Sequence, residues 1–282
     1  MGDLTHVVAV VTGSNTGIGR AVASGLAERG ATVVLACRSA EKTLPVVDEI
    51  VTETGNDRVE FLPLDLGDFA SVRAAAATLL STDRPIHRLV NNAGVAGNRG
   101  LSKSGFEMTF GVNHLGHFLL TTLLLERLAA SGSARIVNVS SGNHYKATGI
   151  DFDAVTRPTR TFIGLKEYDV SKLANVLFTL SLASRLDGAQ VAAFSANPGQ
   201  VASDVWRRMP RPVYAVFKLM SNLKSTADGA KPILHATTEP GIESLSGAYF
   251  DEDCGRREPS KYATAELAEE LWRRSEAWTS QT

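Results

Sequence analysis

The sequence predicts an α/β fold with one doubly wound parallel sheet and helices on both faces. Three observations support this fold class. Short apolar runs alternate with segments of helical pattern along the chain, which is typical of parallel strands covered on both faces. The first run, 7–11, leads directly into a glycine-rich turn and a helix. No linker, repeat or break in composition divides the 282 residues, so we expect a single domain over 1–282.

The predicted elements follow one another in regular order. Each strand is a run of aliphatic or β-branched residues, and Gly30 ends the first helix. We expect strands at 7–11, 32–37, 59–64, 88–91, 134–140 and 191–196, with 246–250 as a candidate seventh. We expect helices at 17–29, 41–54, 69–80, 105–131 and 167–186.

Composition excludes several classes of protein. The hydrophobic content of 44% supports a full core, and a net charge of -1 argues against a general nucleic-acid binder. Two cysteines, Cys37 and Cys254, are too few for a disulfide framework. His114 and His117 lie near each other without clustered acidic or cysteine ligands, so structural roles are favoured over a metal site. No basic leader and no run of about 18 apolar residues is present, which predicts a cytoplasmic protein without a membrane span.

The turn after the first strand has the spacing of a dinucleotide-binding loop. Glycine allows a tight turn and a close approach of backbone amides to a pyrophosphate, and the N-terminus of the following helix favours negative charge. The alternative is a glycine-rich turn without a ligand. The predicted cofactor-binding residues of this loop are Gly13, Ser14, Asn15, Thr16, Gly17, Ile18 and Gly19.

The end of the second strand predicts which dinucleotide is bound. An acid there would bind the ribose 2′-hydroxyl of NAD, whereas an arginine pairs with the 2′-phosphate of NADP. Here Cys37 is followed by Arg38, which favours NADP(H), although Arg38 as a plain surface charge is the alternative.

Later strand ends add to the same predicted site. Asp65 and Leu66 follow the third strand, where Asp65 either borders the adenine pocket or caps the next helix. Asn92, Ala93 and Gly94 follow the fourth strand, and small residues there let the chain pass close to the cofactor.

Tyr168 and Lys172 form the candidate catalytic pair. They lie four residues apart on one face of a predicted helix. A neighbouring ammonium favours the phenolate and so lowers a phenol pKa from about 10. Ser141 is placed to hold a carbonyl that the phenol protonates, and Ser140 is its rival because adjacent strand residues face opposite sides. Together with a nucleotide site, these groups indicate hydride transfer to a carbonyl.

The order of these motifs resembles the short-chain dehydrogenase/reductase family, with its Rossmann-like fold, over nearly the whole chain. Segments 36–39, 135–141, 171–178 and 271–276 are most similar to the retinol-dehydrogenase-like branch. The motifs that carry the resemblance are Thr12-Gly13-x-x-x-Gly17-x-Gly19, Asn91-Asn92-Ala93-Gly94, Asn113, Ser141, Tyr168, Lys172 and Pro198-Gly199.

The resemblance implies a role for each matched residue. Tyr168 is the general acid or base, Lys172 lowers its pKa and binds the nicotinamide ribose, and Ser141 orients the substrate carbonyl. Asn113 supports a water chain for the proton. Beyond Pro198 and Gly199, the residues Val201 and Ser203 meet the nicotinamide carboxamide. Two features depart from the family pattern: segment 142–167 is longer than in compact members, and Asn197 stands where this branch commonly has histidine.

The substrate side is predicted from a segment after the sixth strand. A substrate lid is expected at about 204–225, where Trp206 and other apolar side chains suit a bulky hydrophobic carbonyl or alcohol. The alternatives are a membrane-surface segment or an amphipathic lid with solvated charges. His144 is a further candidate for the substrate pocket. The long helices are candidate oligomer contacts, unless segment 142–167 covers them.

Two other functions fit the same sequence. A nucleotide-binding scaffold would keep the fold without turnover, but such proteins usually lose the tyrosine or the lysine. A reductase of a ring double bond would use the same pair on a different substrate.

Overall fold

The computed structural model describes residues 3–186, 190–201 and 223–280. All strands in these ranges belong to one eight-stranded sheet with the order β3-β2-β1-β4-β5-β6-β7-β8. Neighbouring strands pair in parallel except β7 and β8, which are antiparallel. The strands are β1 (Val8–Thr12), β2 (Thr32–Cys37), β3 (Val59–Pro63), β4 (Arg88–Asn91), β5 (Ala134–Val139), β6 (Val191–Ala196), β7 (Tyr249–Phe250) and β8 (Arg256–Arg257).

Helices cover both faces of the sheet, which confirms the predicted fold class. Side chains alternate between the faces, so Val10 and Leu89 pack on one side with α3, α5, α6 and α8, while Val11 and Val90 pack on the other with α1, α2 and α7. The α-helices are α1 (Gly17–Ala27), α2 (Ala40–Thr54), α3 (Phe69–Leu80), α4 (Met108–Phe110), α5 (Gly116–Ala130), α6 (Leu165–Arg185), α7 (Thr226–Thr238) and α8 (Ala265–Ser280).

The strand order places the site. Strand β1 lies between β2 and β4, so the chain runs outward in opposite directions from β1 and β4. The loops that follow these two strands separate at such a switch point and leave a crevice at the carboxyl edge of the sheet. The glycine turn after β1 and the small residues after β4 therefore border this crevice.

The predicted helix 105–131 differs most from the structure. It begins at Met108 and contains a π-helical turn, Gly111–Leu115, between α4 and α5. The backbone N–H of Gly116 bonds the carbonyl of Gly111, which is the i+5 pattern of a π turn. Hydrophobic periodicity does not show such a one-residue expansion. The turn carries Asn113, a predicted catalytic residue.

The C-terminal helix α8 was not predicted, because its sequence is rich in charged residues. It packs through Trp272 against Phe118 of α5 and Phe178 of α6, with ring centroids 5.0 and 6.0 Å apart. These are the two long helices that the sequence analysis considered for oligomer contacts. In the described residues α8 covers part of them, rather than segment 142–167 alone.

One continuous helical stretch, Met108–Ala130, is long and apolar enough to span a membrane on those criteria alone. The sequence analysis expected no such stretch. However, 72% of its most apolar window is buried inside the fold, as in the core helix of a globular protein.

Candidate active site

The glycine turn has a backbone that only glycine fits. Gly13 has a φ of 64°, and a Cβ atom there would lie 2.8 Å from the Cα of Ala93. A Cβ on Gly19 would collide with the side-chain amide of Asn92. Thr16 occupies the N-cap position of α1. The N-terminus of α1, next to Gly17 and Ile18, therefore opens at the glycine turn, where backbone amides can bind an anion such as a pyrophosphate.

Thr12 and Asn92 tie the loop after β4 to this turn. The Thr12 hydroxyl accepts hydrogen bonds from the backbone N–H groups of Asn92 and Ala93, each at 3.0 Å. The Asn92 amide donates to the Thr12 carbonyl at 2.8 Å. A Cβ on Gly94 would lie 3.7 Å from Lys172 Nζ. The loop after β4 therefore lies beside Lys172, the predicted catalytic lysine.

The end of β2 closes the other side of the turn. The backbone N–H of Ser14 points to Cys37 Sγ at 3.2 Å, and the Ser14 hydroxyl donates to the Val11 carbonyl at 2.8 Å. Ser14 is fully buried, so only its backbone faces the turn. Asn15 is half-buried and Arg38 is exposed. In the described part of the chain Arg38 has no salt bridge, so its guanidinium is available to an anion.

Asp65 and Leu66 have more local roles than expected. Asp65 accepts a hydrogen bond from the Gly67 N–H at 3.1 Å and forms a salt bridge with Lys103 at 3.3 Å. Asp68, rather than Asp65, caps α3. Leu66 is buried in the core, so its side chain does not reach the crevice.

Tyr168 and Lys172 lie on α6 as predicted, and both are buried. Lys172 Nζ is 5.5 Å from the centre of the Tyr168 ring and donates a hydrogen bond to the Val139 carbonyl at 2.9 Å. Burial lowers the pKa of Lys172 to about 8. Burial also raises the pKa of Tyr168 to about 12, a hydrogen bond with Ser141 lowers it, and the charge of Asp169 raises it.

The expected effect of Lys172 on the phenol is therefore not seen in this structure. The sequence predicts that the ammonium lowers the pKa of Tyr168, but loss of hydration dominates. With this raised pKa the phenol is protonated at neutral pH. Its proton would be easier to remove only if further positive charge entered the site.

The structure distinguishes Ser141 from Ser140. The Ser140 hydroxyl is buried and donates to the Lys172 carbonyl at 2.9 Å, so it braces β5 against α6. Ser141 lies on the wall of the cavity and hydrogen-bonds with Tyr168. The choice of Ser141 as the carbonyl-binding residue agrees with this geometry.

Asn113 joins the two halves of the site. Its amide donates to the Val95 carbonyl and to the Ser171 hydroxyl, each at 3.0 Å, and its amide oxygen accepts from the Val95 N–H at 2.8 Å. Ser171 in turn donates to the Tyr168 carbonyl at 2.8 Å. Ser171 was not singled out from the sequence, although its position next to Lys172 was a signal. These bonds give Asn113 a positioning role, and the proton relay through it stays a prediction.

The loop after β6 approaches the glycine turn from the opposite side. Gly199 has a φ of 76°, and its N–H donates to the Asn197 side chain at 3.0 Å. Val201 is buried, and a Cβ on Gly229 would contact Val201, Pro198 and Ile18. Pro198, Gly199 and Val201 are thus placed beside the start of α1. Ser203, Trp206 and the predicted lid, apart from 223–225, lie outside the described residues.

A cavity of about 560 Å³ opens beside Ser141. Its described wall is mostly polar and carries Asn143, Tyr145, Lys146, Asp251 and Glu252. The predicted apolar lining belongs to the segment outside the described residues.

His144 does not line this cavity, contrary to expectation. It is fully buried, its Nδ1 bonds the Ser141 carbonyl at 2.7 Å, and its Nε2 accepts from the Ser260 N–H at 3.2 Å. Backbone groups therefore use both ring nitrogens, and Tyr145 takes the place on the wall. The sequence around His144, close to Ser141, does not predict that its side chain points into the core.

Comparison with known proteins agrees with this geometry. The family model for short chain dehydrogenases matches residues 7–152. The chain belongs to this family. Human retinol dehydrogenase 11 is 45% identical over 272 residues, which cover 96% of this chain and 85% of that protein. The chain therefore lies in the retinol-dehydrogenase-like branch and is an oxidoreductase of the short-chain dehydrogenase family.

Solved structures show the same fold. An uncharacterized protein from Mycobacterium paratuberculosis has a TM-score of 0.78 and 32% identity, with 99% of this chain and 96% of that chain covered. The 3-ketoacyl-(acyl-carrier-protein) reductase from Brucella melitensis, complexed with NADH, has a TM-score of 0.67 and 26% identity, with 87% and 96% covered. The members of this short-chain dehydrogenase family bind a nicotinamide cofactor, and the glycine turn and Lys172 described above fit one.

Proposed function

We propose that this short-chain dehydrogenase is an NADP(H)-dependent oxidoreductase that interconverts a ketone or aldehyde and the corresponding alcohol. The observation that carries the proposal is the hydrogen bond between Tyr168 and Ser141, with Ser141 on the wall of a cavity and Lys172 beside the tyrosine. The bound cofactor would supply the hydride. The chain supplies a proton donor, a hydrogen-bond donor for the oxygen, and the alignment of both.

The roles of the residues follow from their protonation. A carbonyl oxygen that accepts hydrogen bonds from Ser141 and Tyr168 develops negative charge as hydride arrives, and both donors stabilise it. Because burial holds Tyr168 in its protonated form, the phenol can give its proton to that oxygen. The Lys172 ammonium beside the phenol does not by itself outweigh burial, so the phenolate that remains needs further positive charge in the site. The resting protonation state therefore supports reduction, and oxidation requires prior loss of the Tyr168 proton.

The preference for NADP(H) rests on Arg38. Arg38 follows the end of β2, which carries no acidic side chain, and it forms no salt bridge with the described residues. A family member of known structure holds NADH, so membership alone does not decide between the cofactors. An exposed guanidinium at this strand end is suited to a 2′-phosphate.

The substrate is proposed to be a small molecule with an apolar body. The similarity to retinol dehydrogenase 11 supports an apolar alcohol or aldehyde. The polar described wall of the cavity would then face the reacting end of the substrate. We propose a cytoplasmic location for the enzyme.

The test of the function is a screen of NADPH oxidation against aldehydes, ketones, quinones and steroids, with the variant Tyr168→Phe as reference. Removal of the hydroxyl should leave NADPH affinity nearly intact and lower kcat by about 10²–10⁴-fold. Activity of Tyr168→Phe within about threefold of the parent would refute the catalytic assignment. A parent that binds NADPH but reduces no carbonyl would favour a scaffold, and reduction of ring double bonds alone would favour the alkene reductase.

A further inference from the structure

His117 occupies the centre of a buried hydrogen-bond network beside the proposed active site. Its side chain is 1% exposed. Nδ1 lies 3.0 Å from the Asn113 carbonyl oxygen, and Nε2 lies 2.8 Å from the Thr12 hydroxyl. The imidazole thus spans from the π turn of the long helix to the end of β1, where the glycine turn begins.

The partners assign the position of every proton in this network. A carbonyl oxygen only accepts, so Nδ1 of His117 carries the hydrogen and Nε2 is an acceptor. Thr12 must then donate its single hydroxyl hydrogen to Nε2, which is closer than its other acceptor, the Val90 carbonyl at 3.4 Å. The two lone pairs of Thr12 accept from the N–H groups of Asn92 and Ala93. Every donor and acceptor named here thus has a partner, and only a neutral imidazole allows this arrangement.

A positive charge on His117 would break this arrangement. A protonated Nε2 would face a hydroxyl whose lone pairs are already occupied, so two donors would oppose each other. Burial and the nearby charge of Lys172 act in the same direction and lower the pKa of His117 to about 4, against a hydrogen bond with Asn113 that raises it. His117 therefore stays neutral at physiological pH.

The network links the elements that define the reaction geometry. Through Asn113 it reaches Ser171 and the backbone of Tyr168. Through Thr12 it reaches the loop whose Gly94 lies against Lys172. Both ring nitrogens are occupied and the ring is enclosed, so His117 has no free atom to exchange protons with a substrate. The part of the chain that the structure describes also contains no metal-binding cluster at this point.

We propose that His117 is a positioning residue for hydride transfer, because its neutral ring holds the Asn113 turn and the Thr12 hydroxyl as one unit around the cofactor and Lys172. The proposal rests on the proposed function, since it concerns the same site. It links the π turn to the site, because the Asn113 carbonyl that His117 binds lies within that turn.

The first test compares His117→Phe with His114→Phe. His114 is equally buried, but its Nε2 bonds Ser275 of α8, away from the cofactor loops. His117→Phe should raise the Kd for NADPH and lower kcat by about tenfold each, because Asn113 and Thr12 lose a partner. His114→Phe should leave both within about twofold. If His117→Phe does not fold, the same measurements are made on His117→Gln. Equal effects of the two substitutions on the Kd and kcat, or no effect of His117→Phe, would overturn the proposal.

The second test measures coupling to Thr12. Thr12→Ser keeps the hydroxyl and should retain the parent Kd for NADPH within about threefold. Thr12→Val removes it, and adding His117→Phe to that background should change the Kd for NADPH much less than in the parent. Independent, multiplicative effects of the two substitutions on cofactor affinity would show that the residues do not act as a unit.

The third test is independent of any substrate. Nitrogen-15 NMR of labelled histidine, with the His117 signal assigned from its variants, should show the Nδ1–H tautomer without titration between pH 5.5 and 8. An imidazolium or an Nε2–H tautomer in that range would overturn the proposal even if carbonyl reduction is established. Conversely, absence of carbonyl turnover would disprove the proposed function, while the NMR result would still show whether His117 has the tautomer that the hydrogen-bond network requires.

Discussion

At the end of β5 two adjacent serines face different partners. The Ser140 hydroxyl donates to the backbone of α6 at Lys172, and Ser141, on the wall of the cavity, hydrogen-bonds with the Tyr168 phenol. Adjacent strand residues point to opposite sides, so one step along the chain separates a structural role from the proposed catalytic one. Lys172 is linked to both, through its backbone carbonyl and through its position beside Tyr168.

This separation predicts distinct phenotypes for two alanine variants. Ser141→Ala removes a donor aimed at the developing oxyanion and should lower kcat by about 10²–10³-fold, with the Kd for NADPH unchanged. Ser140→Ala removes a buried hydrogen bond and should instead lower the free energy of unfolding by about 1–2 kcal/mol. Steady-state kinetics with urea denaturation of both variants is the check. A larger loss of kcat in Ser140→Ala would reverse the assignment.

Arg38 predicts the choice of cofactor. Arg38→Ala should weaken NADPH binding by roughly ten- to a hundredfold and leave NADH binding almost unchanged, since a charge-assisted contact is worth about 1.5–3 kcal/mol. Arg157→Ala, another exposed arginine on segment 142–167, is the control and should change neither. The measurement is fluorescence titration with both cofactors. Equal affinities of the parent for NADPH and NADH would contradict the prediction.

At the scale of elements, the turn between β1 and α1 depends on space as well as on backbone conformation. Gly13 and Gly55 have similar φ angles, 64° and 68°, but a Cβ on Gly55 would meet no atom within 4 Å. Gly55→Ala should therefore cost only the conformational strain, about 1–2 kcal/mol. Gly13→Ala adds a collision with Ala93 and should abolish measurable NADPH binding. Thermal unfolding and cofactor titration separate the two effects. Intact NADPH binding in Gly13→Ala would refute the role of Gly13 in the cofactor-binding turn.

Local sequence patterns predicted some elements well and others poorly. Strands β2 and β4, and helix α3, have the predicted bounds, because a buried parallel strand or an amphipathic helix has its own periodicity. Helix α8 was missed, since its apolar side chains are few among charged residues and its order comes from packing on α5 and α6. The π turn was missed because it changes hydrogen bonding and not hydrophobicity.

The site shows the same division. The glycine turn, Tyr168, Lys172 and Ser141 were predicted because their spacing reflects the chemistry they serve. Ser171 was assigned no role and His117 only a structural one, since Asn113, the partner of Ser171, and Thr12, the partner of His117, are distant in sequence. The His144 side chain points inward, where it bonds the Ser260 N–H. No local sequence pattern near His144 predicts this contact.

For the whole molecule, the two edges of the sheet have separate roles. The carboxyl ends of the strands carry the site. The opposite edge holds the C-terminus of α7, where Arg29, Arg88 and Arg135 donate to its last turn. Cations at a helix C-terminus offset the negative end of the helix dipole and satisfy its free carbonyls. This arrangement anchors α7, whose Gly229 contacts the loop after β6, and so supports the site from behind.

Two buried histidines make the stability of the whole fold depend on pH. Burial lowers the pKa of His114 to about 3 and that of His117 to about 4, from an ordinary 6.5. The unfolded chain takes up both protons near pH 6.5, while the folded protein does not. The unfolded state thus binds more protons between pH 6.5 and 4, so the free energy of unfolding decreases as the pH falls through this window.

The acid sensitivity should decrease when His114 is replaced. In His114→Phe the pH slope of the unfolding free energy should fall by up to about 1.4 kcal/mol per pH unit in that window, because one linked proton is removed. The ring already packs among Phe110, Phe118 and Phe178, and its buried Nδ1 has no hydrogen bond with the described residues, so a phenyl group fits the place. Urea denaturation at several pH values from 4 to 7 gives the slope. Since carboxylates contribute equally in parent and variant, an unchanged slope would mean that His114 titrates in the folded protein as it does in the unfolded chain.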